Sequence, residues 1–169
     1  MAHVEVLSLA SLLGYGWLYG MSMWVSFFGD CFIETTRHQF GTLQHKTFPV
    51  YFSSSIGLSS ALLGLWAYAH PGLLANITNP FRADVAQAYV LGAVIALQGC
   101  NQLVVGPMTS RQRHRLEKEG KNYNEPGVST QMKALNAKFG MLHGISSLAN
   151  LGAIVALTLH GLWIGSYGL

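Results

Sequence analysis

The sequence predicts an all-α membrane protein, a single domain over residues 1–169 that forms a bundle of four transmembrane helices. Half of the residues are apolar and only 10% are charged, whereas a soluble domain carries about 25% charge. Asp, Glu, Lys and Arg are absent from 6–29, 47–81, 85–110 and 139–169. Each of these windows can supply the roughly 20 apolar residues that cross a bilayer as a helix. Composition and pattern together exclude a soluble globular domain, a disordered chain and a disulfide-stapled secreted domain.

The apolar windows set the expected bounds of the four spans. The first span should cover 7–29, retained rather than cleaved, because the amino-terminal residues contain no basic stretch of the kind that opens a signal peptide. The second should begin at Phe48 and Pro49, since proline suits the first turn of a helix, and end near residue 69 before His70-Pro71-Gly72. The remaining expected spans are 85–105, which stops before Gly106-Pro107, and 139–164.

The loop between the third and fourth spans, residues 109–138, contains two different kinds of sequence. Residues 109–120 begin with a capping pair, Thr109-Ser110, continue with helix formers and end at Gly120, which predicts a short helix or an extension of the third span. Residues 121–131 are rich in Asn, Pro and Gly and predict an irregular linker.

The basic residues predict the orientation of the bundle. Loops one and three carry nine of the ten Lys and Arg residues, and the remaining loop carries only Arg82. Since cytoplasmic loops are enriched in Lys and Arg, both termini should face the lumen or the exterior. The net charge of only +3 does not indicate a nucleic-acid partner. Asn76-Ile77-Thr78 is a glycosylation sequon in the lumenal loop, and an accidental match is the more frequent explanation for a site this close to a membrane.

Small residues in the second span predict a packing seam. The seam repeats at intervals of four and three residues and consists of Ser53, Gly57, Ser60, Gly64 and Ala67. Small residues let helix backbones approach in lipid. We interpret this seam as a contact within the bundle rather than a dimer face.

Polar residues inside the spans mark a candidate site. Gln98 and Asn101 lie on the third span, and His143, Ser146 and Asn150 lie at i, i+3 and i+7 on the fourth. At 1.5 Å of rise per residue, Gln98 and Asn150 are both roughly 15 Å from the cytosolic end. Since lipid cannot hydrogen-bond them, they should face each other inside the bundle. Two interpretations stay open: hydrogen bonds that only join helices, or a cytosol-facing polar site completed by Arg37 and His38 of loop one.

The sequence contains no recognisable catalytic set or cofactor motif. HExxH, GxSxG and a phosphate-binding loop are absent, so we expect neither an enzyme nor a bound cofactor. A haem held by two histidines would need both inside the bundle at one depth, and only His143 is clearly placed there by the expected spans. The two cysteines, Cys31 and Cys100, have no metal-ligand spacing.

Three segments carry a resemblance to a known family. They are Gly20-Met21-Ser22-Met23-Trp24-Val25-Ser26-Phe27, then the loop-one block from Arg37-His38-Gln39-Phe40-Gly41 through Lys46-Thr47-Phe48-Pro49-Val50-Tyr51-Phe52, and His143-Gly144-Ile145-Ser146-Ser147-Leu148-Ala149-Asn150. Together they resemble the transmembrane protein 205 family. Asn101, Pro107 and Thr109 also fit its pattern. The resemblance implies a four-span eukaryotic protein of the secretory or plasma membrane, associated with vesicle trafficking and platinum-drug resistance, and without an established molecular activity.

The loop-one block predicts a short interfacial helix before the second span. Phe40, Leu43 and Phe48 can lie at the headgroup boundary, while Arg37 and Lys46 reach phosphates. The alternative is that this block serves only as an anchor that fixes the topology of the protein in the membrane.

These observations favour a non-enzymatic adaptor or trafficking-associated factor linked to drug or metal resistance. The alternative is an oligomeric small-solute or metal transporter, or a four-helix bundle that binds haem or a metal. Membrane lipids are the expected partners, together with proteins bound through the cytosolic loops or helix faces. A homo-oligomer and a subunit of a larger membrane complex both stay open.

Overall fold

The computed structural model describes residues 2–28, 37–111 and 130–168, and within them the chain is helical apart from short turns. Helix α1 covers Ala2–Met23, α2 covers Arg37–Ala69, α3 covers Ala83–Cys100 and α4 covers Thr130–Tyr167. Two π-helical turns follow α1 and α3, at Trp24–Phe28 and Asn101–Val105, and a 3₁₀ turn at Leu74–Asn76 lies between α2 and α3. Within these described ranges, four helical stretches are long and apolar enough to cross a membrane: Glu5–Phe28, Lys46–Ala69, Ala83–Arg111 and Met132–Tyr167. The all-α, four-span prediction is confirmed.

The helices form a closed ring in chain order. Helix α3 packs against α2 and α4, and α1 packs against α2 and α4. Contacts join low residue numbers on one helix to high numbers on the next, such as Trp66 with Asp84 and Tyr51 with Gln98, so neighbouring helices are antiparallel. The centre of the core contains Leu18, Leu62, Leu91, Val94 and Leu157. The bundle is thus held by contacts between sequential, antiparallel helices.

Helix α2 begins earlier than predicted. Residues 37–47 are helical, as expected for an interfacial helix, but they continue into the second span without a break, and Pro49 lies inside the helix. A proline inside a helix removes one backbone hydrogen bond, and transmembrane helices tolerate this loss because neighbouring helices satisfy the freed group. Helix α2 is therefore 33 residues long.

The third span also continues past its predicted end. The Gly106 N–H donates to the Asn101 carbonyl five residues earlier, in place of the usual four, and the helix then passes Pro107 and reaches Arg111. The π turn shifts the hydrogen-bond register just before the proline, which has no N–H to donate. Gly106 is required there, because an added Cβ would lie 2.9 Å from the Asn101 carbonyl oxygen. The predicted extension is therefore present as far as Arg111.

Helix α4 begins at Thr130, nine residues before the predicted start at Phe139. The predicted start was set by the absence of charged residues, so it excluded the part of the helix that contains Lys133 and Lys138. Both lysines lie at exposed positions in the first turns of α4. The predicted helix over 112–120 and most of the predicted linker over 121–131 lie outside the described residues.

The middle of the small-residue seam of the second span does not pack within the described bundle, whereas its two ends do: Ser53 accepts a hydrogen bond from Gln102, and Ala67 packs against the core. Ser53, Gly57, Ser60 and Gly64 are exposed, and added Cβ atoms at Gly57 and Gly64 would meet nothing within 4 Å. The inward face of α2 is instead the row Tyr51, Ser55, Ser59, Leu62 and Trp66. Close packing against glycine occurs elsewhere in the bundle. The side chains of Leu62, Leu97 and Tyr15 pack closely on Gly14, Gly152 and Gly161, respectively.

Candidate functional site: a polar cluster and two cavities in the bundle

A cluster of hydrogen-bonded side chains from all four spans lies in the interior of the bundle. We call Ser26, Tyr51, Gln98 and Asn150 the mid-bundle cluster. Gln98 Nε2 donates to Asn150 Oδ1 at 2.9 Å and to the Tyr51 hydroxyl at 3.2 Å. The Tyr51 hydroxyl donates to the same Asn150 oxygen at 2.7 Å, and Asn150 Nδ2 donates to Ser26 Oγ. Asn150 therefore connects the other three spans.

Asn101 lies beside this cluster, one turn further along the third span. Its side chain is fully buried, and Nδ2 donates to the Ser146 backbone carbonyl at 3.2 Å. Ser146 thus contributes its backbone rather than its hydroxyl to this contact, and its side chain is half-buried. Gln98 Oε1 and Asn101 Oδ1 are sealed from solvent and accept no hydrogen bond from the described residues. Unpartnered buried amide oxygens are costly.

The structure brings together Gln98, Asn101, Ser146 and Asn150 of the predicted site. His143 makes no hydrogen bond to them within the described structure: its side chain is exposed, lines the cavity described below and stacks parallel to Phe139, with ring centroids 6.4 Å apart. The side chains of Arg37 and His38 lie outside the described part of the structure. The predicted pairing of the third and fourth spans is therefore present, without His143.

Sequence reasoning missed Tyr51 and Ser26. Both could have been found from hydroxyl spacing, because Ser22 and Ser26 repeat at i, i+4 on the first span and Tyr51, Ser55 and Ser59 repeat at the same spacing on the second. Ser26 Oγ and Ser59 Oγ donate back to the carbonyls of Ser22 and Ser55, which leaves their oxygens available as acceptors. Ser26 uses that capacity to accept from Asn150.

A cavity of about 480 Å³ opens next to the mid-bundle cluster, at the end of the bundle that carries loops one and three. We call that end the basic end, because Lys46, Arg111, Lys133 and Lys138 lie there, and the cavity the basic-end cavity. All four spans contribute to its walls. Its lining is Val25, Ser26, Phe27, Phe48, Pro49, Phe52, Gln102, Gly106, Pro107, Thr109, Ser110, Phe139, His143, Ser146, Ser147, Asn150, Leu151 and Ile154.

The lining combines apolar walls with a polar floor. Four phenylalanine side chains and the aliphatic residues of α4 form the walls, while the amides of Asn150 and Gln102, the His143 ring and several hydroxyls, among them that of Ser26, contribute polar groups. Gln102 Nε2 also donates to Ser53 Oγ at 3.0 Å, which joins α2 to the π turn after α3. Cavities of this size with few polar groups in an apolar surround are typical of sites for small molecules.

A second cavity, of about 330 Å³, lies between α1, α2 and α4 near the opposite end of the bundle. We call it the aromatic-end cavity, because Trp66 and His160 line it. His160 is only 2% exposed, and its Nδ1 donates to Gln87 Oε1 at 2.8 Å. The expected spans placed only His143 clearly inside the bundle, and they gave no indication of the burial of His160. Its spacing of ten residues from Asn150, through Ala153 and Leu157 on one helix face, would have indicated burial.

Among the described residues, no group of three or more His, Cys, Asp or Glu side chains is close enough to hold a metal ion. Cys100 is an exposed free thiol, and Cys31 lies outside the described residues.

Comparison with known proteins gives one family and a similar relative. Residues 13–118 match the family model of a domain of unknown function, DUF4149. The chain is 26% identical over 178 residues to "Transmembrane protein 205" of Danio rerio, an alignment that covers 95% of this chain and 92% of the relative. No solved structure matches the chain.

Proposed function

The chain belongs to the DUF4149 family and is a membrane protein of the transmembrane protein 205 type, and from this premise we propose that it binds a small amphipathic molecule in the basic-end cavity, without catalysing a reaction on it. One observation carries the proposal. The cavity lies between all four spans next to the mid-bundle cluster, so apolar walls and hydrogen-bonding groups meet in one partly open volume of about 480 Å³.

The composition of the walls defines the kind of molecule. Phe27, Phe48 and Phe52 offer flat apolar surface to an aromatic or alkyl portion. The amides of Gln102 and Asn150 can bond a polar head group. The charged side chains that the structure describes near this end, such as Lys46, Arg111 and Lys138, are all basic, which favours a head group that is neutral or negative.

A pair of adjacent substitutions on α4 tests the proposal. Ser147 lines the cavity, whereas Leu148 is 70% exposed on the outer surface of the same helix. In purified protein reconstituted in nanodiscs, we expect anilinonaphthalene sulfonate, an anionic aromatic amphiphile, to bind saturably. Ser147→Phe should weaken this binding at least tenfold by filling the cavity, and Leu148→Phe should leave it unchanged.

Mass spectrometry of small molecules that copurify with the protein would then identify the natural ligand. Equal binding by the Ser147→Phe and Leu148→Phe proteins would contradict the proposal, since the two substitutions add the same ring at neighbouring positions. Transport of the bound molecule across vesicle membranes would support the transporter alternative. A Soret absorbance band in the purified protein would support the haem alternative.

A second proposal is the adaptor or trafficking-associated role in the secretory or plasma membrane that the resemblance implies, with its link to drug or metal resistance. The exposed small-residue face of α2 supports it, because Gly57 and Gly64 meet no other described part of the chain and such surfaces favour helix–helix contacts in lipid. Proximity labelling in cells would test it: Gly64→Leu should remove specific partners, while Leu148→Phe should retain them.

A further inference from the structure

We propose that the aromatic-end cavity is a second binding site, which takes a compact, membrane-soluble molecule with one hydroxyl group. The hydroxyl would donate to Nε2 of His160. This site is distinct from the basic-end cavity: its lining residues are at the opposite end of the same helices, and the two linings share no residue.

The partner of His160 determines which ring nitrogen is available. Nδ1 lies 2.8 Å from Gln87 Oε1, and a carbonyl oxygen can only accept a hydrogen bond. Nδ1 therefore carries the proton. In a neutral imidazole the other nitrogen, Nε2, is then an acceptor. The contact with Gln87 thus keeps His160 in the tautomer whose Nε2 can accept a hydrogen bond from a hydroxyl group.

The position of the ring indicates where Nε2 points. His160 lines the cavity, whereas Gln87, which occupies the Nδ1 edge, does not. We therefore assign to the cavity the ring edge opposite Gln87, which includes Nε2. Since His160 is almost fully buried, a ligand in this cavity would meet that acceptor in a largely apolar surround.

The polar groups of the aromatic rings around His160 are already used within the protein. The Trp66 indole, at 5.6 Å between ring centroids, donates its Nε1 proton to the Asp84 carbonyl at 2.8 Å. The Tyr15 ring, at 6.0 Å, donates its hydroxyl to the Leu157 carbonyl at 3.1 Å. Both side chains therefore present apolar ring surface. The hydroxyls of Ser8, Ser11 and Tyr68 also line the cavity and can donate or accept a hydrogen bond, whereas Nε2 of His160 can only accept. His160 is therefore the group that would require a donor on the ligand.

The walls and the size of the cavity define the rest of the ligand. Leu7, Leu62, Leu65, Trp66 and Ile164 make the lining mainly apolar, so the body of the ligand should be a hydrocarbon ring or short chain. A volume of about 330 Å³ is near the lower limit of typical small-molecule sites, roughly 300 Å³, which favours a compact molecule. A para-alkyl phenol is a simple probe of this class.

The test compares a phenol with its methyl ether on the unaltered protein in nanodiscs. A diazirine-bearing phenol is photolysed with the protein, and the labelled peptides are mapped by mass spectrometry, with para-propylphenol or para-propylanisole as competitor. We expect saturable labelling of segments near residues 7–11 and 62–69. The phenol should compete about fivefold to tenfold more strongly than the ether, because only the phenol donates a hydrogen bond. Equal competition, or labelling that does not saturate, would overturn the proposal and leave His160 and Gln87 as a pair that only joins helices.

Two cavity-filling variants locate the site. Ser11→Leu adds bulk to the aromatic-end cavity, and Ser147→Leu adds the same bulk to the basic-end cavity. We expect Ser11→Leu to reduce phenol-protected labelling at least tenfold, and Ser147→Leu to leave it unchanged. If Ser11→Leu does not fold, Leu65→Trp serves the same purpose, since Leu65 lines the same cavity. Labelling that persists in a folded variant of either kind would also overturn the proposal.

Discussion

Gln98 on α3 and Asn150 on α4 are hydrogen-bonded side chain to side chain inside the bundle, with Gln98 Nε2 2.9 Å from Asn150 Oδ1. The same Asn150 oxygen accepts from the Tyr51 hydroxyl of α2, and the Asn150 nitrogen donates to Ser26 of the first span. One asparagine therefore contacts every other span. Because lipid offers no alternative partners, its loss affects all three at once.

Asn150→Leu should destabilise the bundle by about 1–3 kcal/mol, the usual cost of leaving buried polar groups without a partner. The free energy of unfolding in mixed micelles, followed by circular dichroism, measures this. The matched control is His143→Leu, two turns away on the same helix and exposed, which should change stability by less than about 0.5 kcal/mol. Equal losses from the two variants would contradict the assignment of Asn150 as the central residue.

The contact between Gln98 and Asn150 was predictable from the sequence. Exposing either side-chain amide to lipid has a high cost in free energy, and both residues lie at the same depth in their spans. His143 shares the helix face of Asn150 by its spacing of seven residues, yet it lies nearer the basic end, where the cavity separates α4 from its neighbours. Helical spacing gives the direction of a side chain but not the distance to the next helix.

The inward face of α2 was not predictable in the same way. In water, the polar face of a helix identifies the solvent side, but in lipid apolar and small residues occur on both sides. The small-residue seam was therefore a plausible inner face, and the structure turns Tyr51, Leu62 and Trp66 inward instead. The span boundaries expected at Pro49 and Pro107 differ for another reason. Prolines often mark the end of a helix, but here the predicted interfacial helix and the predicted extension join the second and third spans without a break at Pro49 and Pro107.

Gly64→Leu should leave the stability of the isolated bundle unchanged or raise it slightly. An added Cβ at residue 64 meets nothing within 4 Å, and leucine has a higher helix propensity than glycine by up to about 1 kcal/mol. Unfolding of the monomer in detergent measures the effect. A loss of more than about 1 kcal/mol would show that the seam packs within the bundle after all.

The distribution of basic residues predicts the orientation of the protein in cells. Nine of the ten Lys and Arg residues lie in loops one and three, so both termini should face the lumen or exterior. In a background without Cys31 and Cys100, a cysteine introduced at His3 should react with an impermeant maleimide from outside intact cells if the protein reaches the plasma membrane. A cysteine at Gly120 should react only after permeabilisation. The reverse labelling pattern would show that the basic end faces the lumen or exterior, and it would contradict the predicted orientation.

Gly161→Ala should weaken the packing of α4 against α1. A Cβ at residue 161 would overlap the hydroxyl and ring of Tyr15, and that hydroxyl is held by the Leu157 carbonyl at 3.1 Å. Tyr15 would have to move and give up this bond, at an overpacking cost of about 1–3 kcal/mol. The free energy of unfolding again provides the measurement.

Gly165→Ala is the matched control, one turn further along α4, where an added Cβ meets nothing within 4 Å. Both substitutions gain the same helix propensity, so the difference between them isolates the contact with Tyr15. Tyr15→Phe removes the hydroxyl but keeps the ring, whose Cζ is also close to residue 161. Gly161→Ala should therefore cost less in the Tyr15→Phe background, but still more than Gly165→Ala does. An identical cost in both backgrounds would show that the hydroxyl does not limit the approach of α1 to α4.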